Sequence, residues 1–357
     1  MEMSQALDSA QQRIFMASVG DTGSQLCERN MRYGLAKIHH VEAQLGSDPR
    51  SFFVGAPDAT ITRNRMRWRQ GFGYGGILRT PSTMAILDGK PNGCGMLVAD
   101  IGPNPPSEKQ VFDNADALRR GQLELDGVPL EYDLDESNHF VDVCELEQRY
   151  ATSPKELPRH LVVLHSSGHE HRASSPFGAG LYFDQSDELA RRARKFETPW
   201  GPLSVLLDEQ AKDYVAFCQR VQRFNQDRRE LYARRLFGDV EVLNNATHQG
   251  FRAAGQFYLG CYWFDSESQL YPLALGPDQP LYLLRPKRNF SREIIESMPW
   301  AERAARVGLT ESLLDLDVLP HGGGYAIAER FVKEDALNER GEQRRYHLAA
   351  GRKTLVL

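Results

Sequence analysis

No apolar run in the 357-residue chain approaches the ~18 residues of a membrane span, and mean hydropathy is −0.49, so no membrane partner is expected. Cysteine is scarce and scattered. Cys27, Cys94, Cys144, Cys218 and Cys261 form an odd set without any CxxC, which argues against a zinc ribbon or a disulfide framework and favours a reducing, cytoplasmic setting. No strong charge excess is present either: 43 Lys and Arg against 48 Asp and Glu leave −5. That balance argues against indiscriminate nucleic-acid binding but permits a local basic cleft, because a field follows distribution as well as sum. The opening MEMSQALDSAQQR lacks a basic stretch followed by an apolar one, so no secretory signal is expected. Internal repeats and low-complexity tracts are absent too.

What is present is an ordinary globular composition, 41% hydrophobic and 25% charged, with enough apolar residues for a full core. Residues 1–50 read as a mostly helical segment, with Leu35, Ile38, Val41 and Leu45 at helix spacing. From Ser51 onward, short apolar runs broken by Gly, Pro, Asn and Asp predict strands in SFFVGAP, GGILRT, GMLVADIG, NHFVDVCEL, HLVVLHSSG, GLYFDQ and PLYLLRP. A strong helix is predicted from Asp208 to Phe237, closed by Gly238, with others near Ser186–Phe196 and Ser291–Arg306. No linker divides residues 51–357. The expected class is α+β, with a helical segment over 1–50 and one large domain over 51–357.

Chemistry-bearing residues collect at strand ends beside small residues. His139 follows Asn138, His165 ends HLVVLH, His321 precedes three glycines, and Cys94 lies between glycines in PNGCGM. A thiolate and imidazoles drawn from separate strands suit Zn, Mn, Fe or Co; equally, such residues serve as satisfied core groups. Arg63, Arg65, Arg67 and Arg69 alternate through TRNRMRWRQ and are expected to present a basic face to nucleic-acid phosphates. Arg220, Arg223, Arg228, Arg229, Arg234 and Arg235 line the long helix, and Arg285, Lys287, Arg288 and Arg292 form a third cluster. His39, His40, His169 and His171 read as surface histidines, and the other four cysteines as core or incidental.

Several blocks resemble, in order, those of the RtcB-type RNA ligases. VGAPDATITRNRMRWRQGFGYGGIL is similar to the family's MPDAHxGYGxPIGG opening, NGCGM to D-x-x-C-G-[MV], and ESNHFVDV to GGNHFIE. VVLHSSG is similar to IHSGSRG, and LPHGGGYAIAER to HGAGRxxSR. The resemblance covers most of residues 51–330 and the final GRKTLVL. It implies a single domain of mixed β-sheets with surrounding helices, and joining of RNA 3′-phosphate or 2′,3′-cyclic-phosphate ends to 5′-hydroxyls. The co-substrate would be GTP, the cofactor Mn²⁺ or another divalent transition metal, and the intermediate a GMP-histidine. By motif, His321 would take GMP; Cys94, His139 and His165 would bind metal, joined by His248 as a substitute ligand. Asn138, Asp142, Asn245, Gly322, Gly323 and Lys353 would contact the nucleotide. The chain departs from the pattern at Thr60, Pro91, Asn244 and Tyr325, and it lacks the family's G-S-M-G loop. Asp88 or Asp100 would have to replace the carboxylate lost at Pro91, and about one metal ion is expected. Two other outcomes stay open: a single-metal phosphoesterase acting on nucleic-acid ends, and a non-catalytic RNA-binding paralogue.

Overall fold

The computed structural model describes residues 3–18, 20–135, 138–149, 157–176, 178–276, 278–314, 316–323, 327–336 and 344–357. Its architecture is α+β, with helices set around several small sheets. No helix among the described residues is long and apolar enough to cross a membrane.

The sheet that carries the site grows from the run HLVVLHS in strand His160–Ser166. Val162 and Leu164 pack on one face with Leu97, Ala99 and Tyr232, while Leu161 and Val163 pack on the other with Met96 and Val98. A strand covered on both faces reads as a continuous apolar run, as this one does. The four-stranded antiparallel order is Glu241–Thr247, Gly95–Asp100, His160–Ser166 and Phe140–Glu145. Antiparallel pairing sets Gly95 opposite both Thr247 and Ser166, and Phe140 opposite His165. One end of the sheet thus gathers four separate chain segments.

A five-stranded sheet runs Ile14–Met16, Phe52–Thr60, Tyr74–Arg79, Gln256–Leu259 and Gln249–Ala253, its first pair parallel and the others antiparallel. The chain passes between the two sheets at His248, which separates Glu241–Thr247 from Gln249–Ala253. Helix Asp208–Phe237 spans about 45 Å at ~1.5 Å per residue and reaches two cores. Tyr214, Phe217 and Val221 enter one, and Tyr232, Ala233 and Leu236 the other. Burying each large side chain there contributes roughly 1.5–3 kcal/mol. Gly238 closes the helix at φ +85°.

Several local expectations change. The N-terminal segment holds helices Met3–Gln11 and Thr22–Gln44, but strand Ile14–Met16 between them pairs with Phe52–Thr60. Leu35, Ile38 and Val41 are fully buried, whereas Leu45 is exposed. GLYFDQ is not a strand; Leu181 and Tyr182 instead donate their N–H groups to the carbonyls of His171 and Arg172. The helix expected over Ser186–Phe196 stops at Arg192, and Arg194–Phe196 turns into strand. Pro299 falls between two short helices, Arg292–Ser297 and Ala301–Arg306, where one had been expected.

Candidate metal centre and its cavity

The gathered sheet end brings the histidines and Cys94 together. Cys94 immediately precedes Gly95–Asp100, and its N–H donates to the Asn92 side chain at 3.0 Å. The N–H of His248 donates to the Cys94 carbonyl at 2.8 Å, which fixes the sheet-switching residue against it. His165 Nε2 lies 3.0 Å from Cys94 Sγ and 3.3 Å from His248 Nε2. Among the described residues Cys94, His165 and His248 form one buried group able to hold a metal ion.

The donor set passes a geometric test. Four-coordinate sites with metal–nitrogen bonds of ~2.05 Å place neighbouring nitrogens ~3.3 Å apart, which matches the two imidazoles. Sulfur–nitrogen edges run to ~3.6 Å in such sites, so Cys94 and His165 need to separate by about half an ångström. His165 Nδ1 meets the Asn138 carbonyl at 2.8 Å, which leaves Nε2 with a lone pair directed at the cluster. Burial alone would raise the Cys94 thiol. The nearby His165 and His248, with hydrogen bonds from His139 and His165, outweigh burial and hold it well below its ordinary value. His248 is lowered as well, down to about 3, but here burial is the chief cause.

His139 stands outside the tight trio but touches it. Its Nδ1 lies 3.0 Å from Asp133 Oδ2 and its Nε2 lies 3.3 Å from Ser167 Oγ. Burial opposes its charge, yet the bonds to Asp133 and Cys94 push His139 up to about 10. Asp133 is fully buried and is held below the usual carboxylate range despite desolvation, by His139 and Arg228. Its other oxygen takes Arg228 Nη2 at 2.8 Å, and Arg228 Nε reaches Glu170 at 2.9 Å. The neighbouring Arg229, also buried, donates to the Ser166 carbonyl and to Asn245 Oδ1.

His321 completes the cluster from the opposite side. Its ring centroid is 4.5 Å from that of His248 and 5.3 Å from that of Tyr74. Asp58 Oδ2 accepts the backbone N–H groups of His321 and Gly322 at 3.1 and 2.9 Å. The same oxygen is 3.3 Å from His321 Nδ1, at an angle that makes no hydrogen bond. Gly322, at φ +92°, sits against the Ala274 backbone where no side chain fits, and a Cβ on Gly323 would lie 2.5 Å from His321 Nε2.

A cavity of about 350 Å³ opens onto the centre, with Cys94, His139, Asn138, Tyr74 and Gly323 in its wall. Its described lining includes Arg63, Arg67, Lys90 and Arg172 and no carboxylate. That imbalance favours an anion. Asp184, outside the lining, pairs with Lys90.

The expected arginine face is revised. Residues 65–69 form a short helix capped by Asn64, so the alternation does not put four arginines on one side. Arg63 and Arg67 line the cavity, while Arg65 and Arg69 are exposed outside it. Arg67 is itself buried, donating to the carbonyls of Gly89 and Lys90 and to Thr62 Oγ1. Of the expected nucleotide contacts, Asn138 and Gly323 line the cavity and Gly322 adjoins His321. Asn245 sits behind the sheet on Arg229 and Gln226. Asp142 and Lys353 are exposed on outer strands and do not line the cavity. Asp88 is spent on the Ser204 N–H and Asp100 on that of Gly102, so neither replaces the carboxylate lost at Pro91. Tyr325 lies outside the described residues.

Two further corrections concern charge and histidine. Arg228 and Arg229 are not a solvated face but the buried clamp behind the cluster, because they share the inward stripe with Phe224, Asn225 and Tyr232. His39 and His171 are buried, His39 against the Ser51 carbonyl and His171 against Phe224. Asp58, Asp133, Glu170 and Arg172 were missed. The inward position of Arg228 and Arg229 at helix spacing was the one signal for buried carboxylates nearby. No protein-family model, no curated protein and no solved structure matches the chain.

Proposed function

We propose that the protein is a metal-dependent nucleotidyl-transfer enzyme of the RtcB ligase type. In this reading a His321 nitrogen attacks the α-phosphate of GTP and releases pyrophosphate, the RNA 3′-phosphate then takes GMP from the histidine, and a 5′-hydroxyl attacks that 3′-phosphate and releases GMP to seal the strand. The observation that carries it is the packing of His321 against the Cys94–His165–His248 trio beside a cavity with four cationic residues and no carboxylate in its described lining. Phosphoryl transfer needs little covalent chemistry beyond an aligned nucleophile and positive charge around the oxygens. His321 Nδ1 is on the side of Asp58, which makes Nε2 the attacking nitrogen in this reading; Nε2 is buried, and only the missing side chain of Gly323, which lines the cavity, separates it from that space. Cys94, His165 and His248 would hold the ion, whose bound charge neutralises phosphate oxygens. Arg63 and Arg172 would receive the phosphates of nucleotide and RNA.

One observation favours a second reading. The group supplies three protein ligands, and a four-coordinate ion held by them would have room for a water to be activated, which suits a phosphoesterase. A single assay separates them: RNA bearing a 3′-phosphate and a 5′-hydroxyl, incubated with Mn²⁺ and GTP. The ligase reading expects a joined strand that disappears in His321→Ala. Release of inorganic phosphate without joining supports the esterase, and neither product sinks both.

A further inference from the structure

A second cavity, of about 370 Å³, lies on another side of the metal centre. Its wall includes Thr247, the residue before His248, and Tyr262, whose ring centroid is 5.8 Å from that of His248. Gln249, the residue after His248, lines the first cavity instead. The described linings of the two cavities share no residue.

Helix Asp208–Phe237 contributes Gln219, Gln222, Arg223 and Gln226, a single stripe at helix spacing. The three amides are already fixed. Gln219 donates to the Arg252 carbonyl, Gln222 joins the Phe251 N–H to the Tyr258 hydroxyl, and Gln226 donates to the Asn245 carbonyl. Arg252 is held as well: one terminal nitrogen pairs with Asp265, and its guanidinium sits 4.7 Å from the Trp263 ring centroid.

Three donors in this preorganised wall are left without acceptors. Arg252 Nη1, Trp263 Nε1 and Thr247 Oγ1 are buried atoms without a hydrogen-bond partner among the described residues. The first two can only donate, and the hydroxyl donates equally well. Unpaired buried donors are unfavourable, so the wall is suited to a group that brings several acceptor oxygens. Charge agrees. Arg223 and Arg252 face one carboxylate, Asp265, which Arg252 already engages, and Arg223 is exposed.

We propose that this second cavity is an oxyanion site that takes a phosphate group, either free or at the end of a nucleotide. It is separate from the proposed catalytic site and does not depend on that reading.

The test uses the full-length protein labelled with 5-fluorotryptophan, whose four tryptophans give fluorine resonances, with Trp263→Phe assigning the one at the cavity. Inorganic phosphate and a 5′-phosphorylated dinucleotide are titrated separately. The Trp263 resonance is expected to shift saturably. Arg252→Gln should weaken that titration about 10- to 100-fold, the range for loss of a charge-assisted hydrogen bond, and Thr247→Val should weaken it by a smaller factor. Unmoved resonances for the other tryptophans show that each variant is folded. Arg63→Gln, in the first cavity, should leave the Trp263 titration unchanged. A response to inorganic phosphate alone identifies a free-anion site; tighter binding of the dinucleotide identifies a strand end. A Trp263 resonance unmoved by both probes, or one that titrates equally in Arg252→Gln, overturns the proposal.

Discussion

Replacing Asp133 by Asn keeps the shape of the side chain and removes its charge at a fully buried position. One carboxylate oxygen accepts Arg228 Nη2, and the other faces His139 Nδ1 and the N–H groups of Ser167 and Gly168. An amide offers one acceptor and one donor, so either rotamer directs an NH₂ at groups that are themselves donors. Arg228 keeps Glu170 but loses its other buried counter-charge. Breaking a buried ion pair from one side costs about 3–5 kcal/mol, and Asp133 holds His139, which hydrogen-bonds the metal ligand Cys94, so metal affinity is expected to fall about 10-fold, the low end for an outer partner of a ligand. Urea unfolding of the metal-free protein reads the first effect, and a competitive Mn²⁺ or Co²⁺ titration reads the second. A loss under ~1 kcal/mol together with unchanged metal affinity would refute the claim that Asp133 supports the centre.

Cys94→Ala should abolish stoichiometric metal binding, measured by elemental analysis after dialysis, since it removes the sulfur of the trio. Metal retained at wild-type stoichiometry contradicts this. Gly323→Ala would set a Cβ against His321 Nε2 and should slow any His321-dependent turnover by about 10–100-fold while preserving the fold, a penalty in the ~1–3 kcal/mol range of overpacking. Wild-type turnover in that variant counts against Nε2 as the reacting atom. His39 gives a pH prediction. Burial drives it down to about 4 from an ordinary 6.5, so the folded state binds fewer protons than the unfolded state in that window. Stability present above pH ~6.5 should therefore fall as pH drops toward ~4, by about 3 kcal/mol, and His39→Gln should flatten this part of the profile.

The elements most legible in the sequence were those decided by local pattern. Helix Asp208–Phe237 has the predicted bounds because its apolar stripe and its closing glycine act locally. Strands Gly95–Asp100 and His160–Ser166 were legible as apolar runs that end in Gly, Ser or charge. Cys94, His139 and His165 stood out as reactive residues at strand ends, and antiparallel pairing turns those ends into one place. Groups defined by partners distant in sequence were illegible. Arg228 and Asp133 are separated by 95 positions, and each alone reads as a solvated charge. The arginine alternation misled for a related reason. A period of two suggests a strand, but the Asn64 side chain accepting the Arg67 N–H starts a helical turn. His39 shows the same limit, since its burial is set by packing and by the Ser51 carbonyl rather than by its neighbours in sequence.

The central claim is that His321, beside the Cys94–His165–His248 trio, is a nucleophile toward a nucleotide phosphate. Its most direct test is the intact mass of the protein after incubation with Mn²⁺ and GTP, compared with His321→Ala and with protein stripped of metal. The account predicts an acid-labile gain of one guanylyl group in the wild type alone, and only with metal present. A wild-type mass that never changes with any nucleotide or transition metal, or an equal gain in His321→Ala, would contradict it.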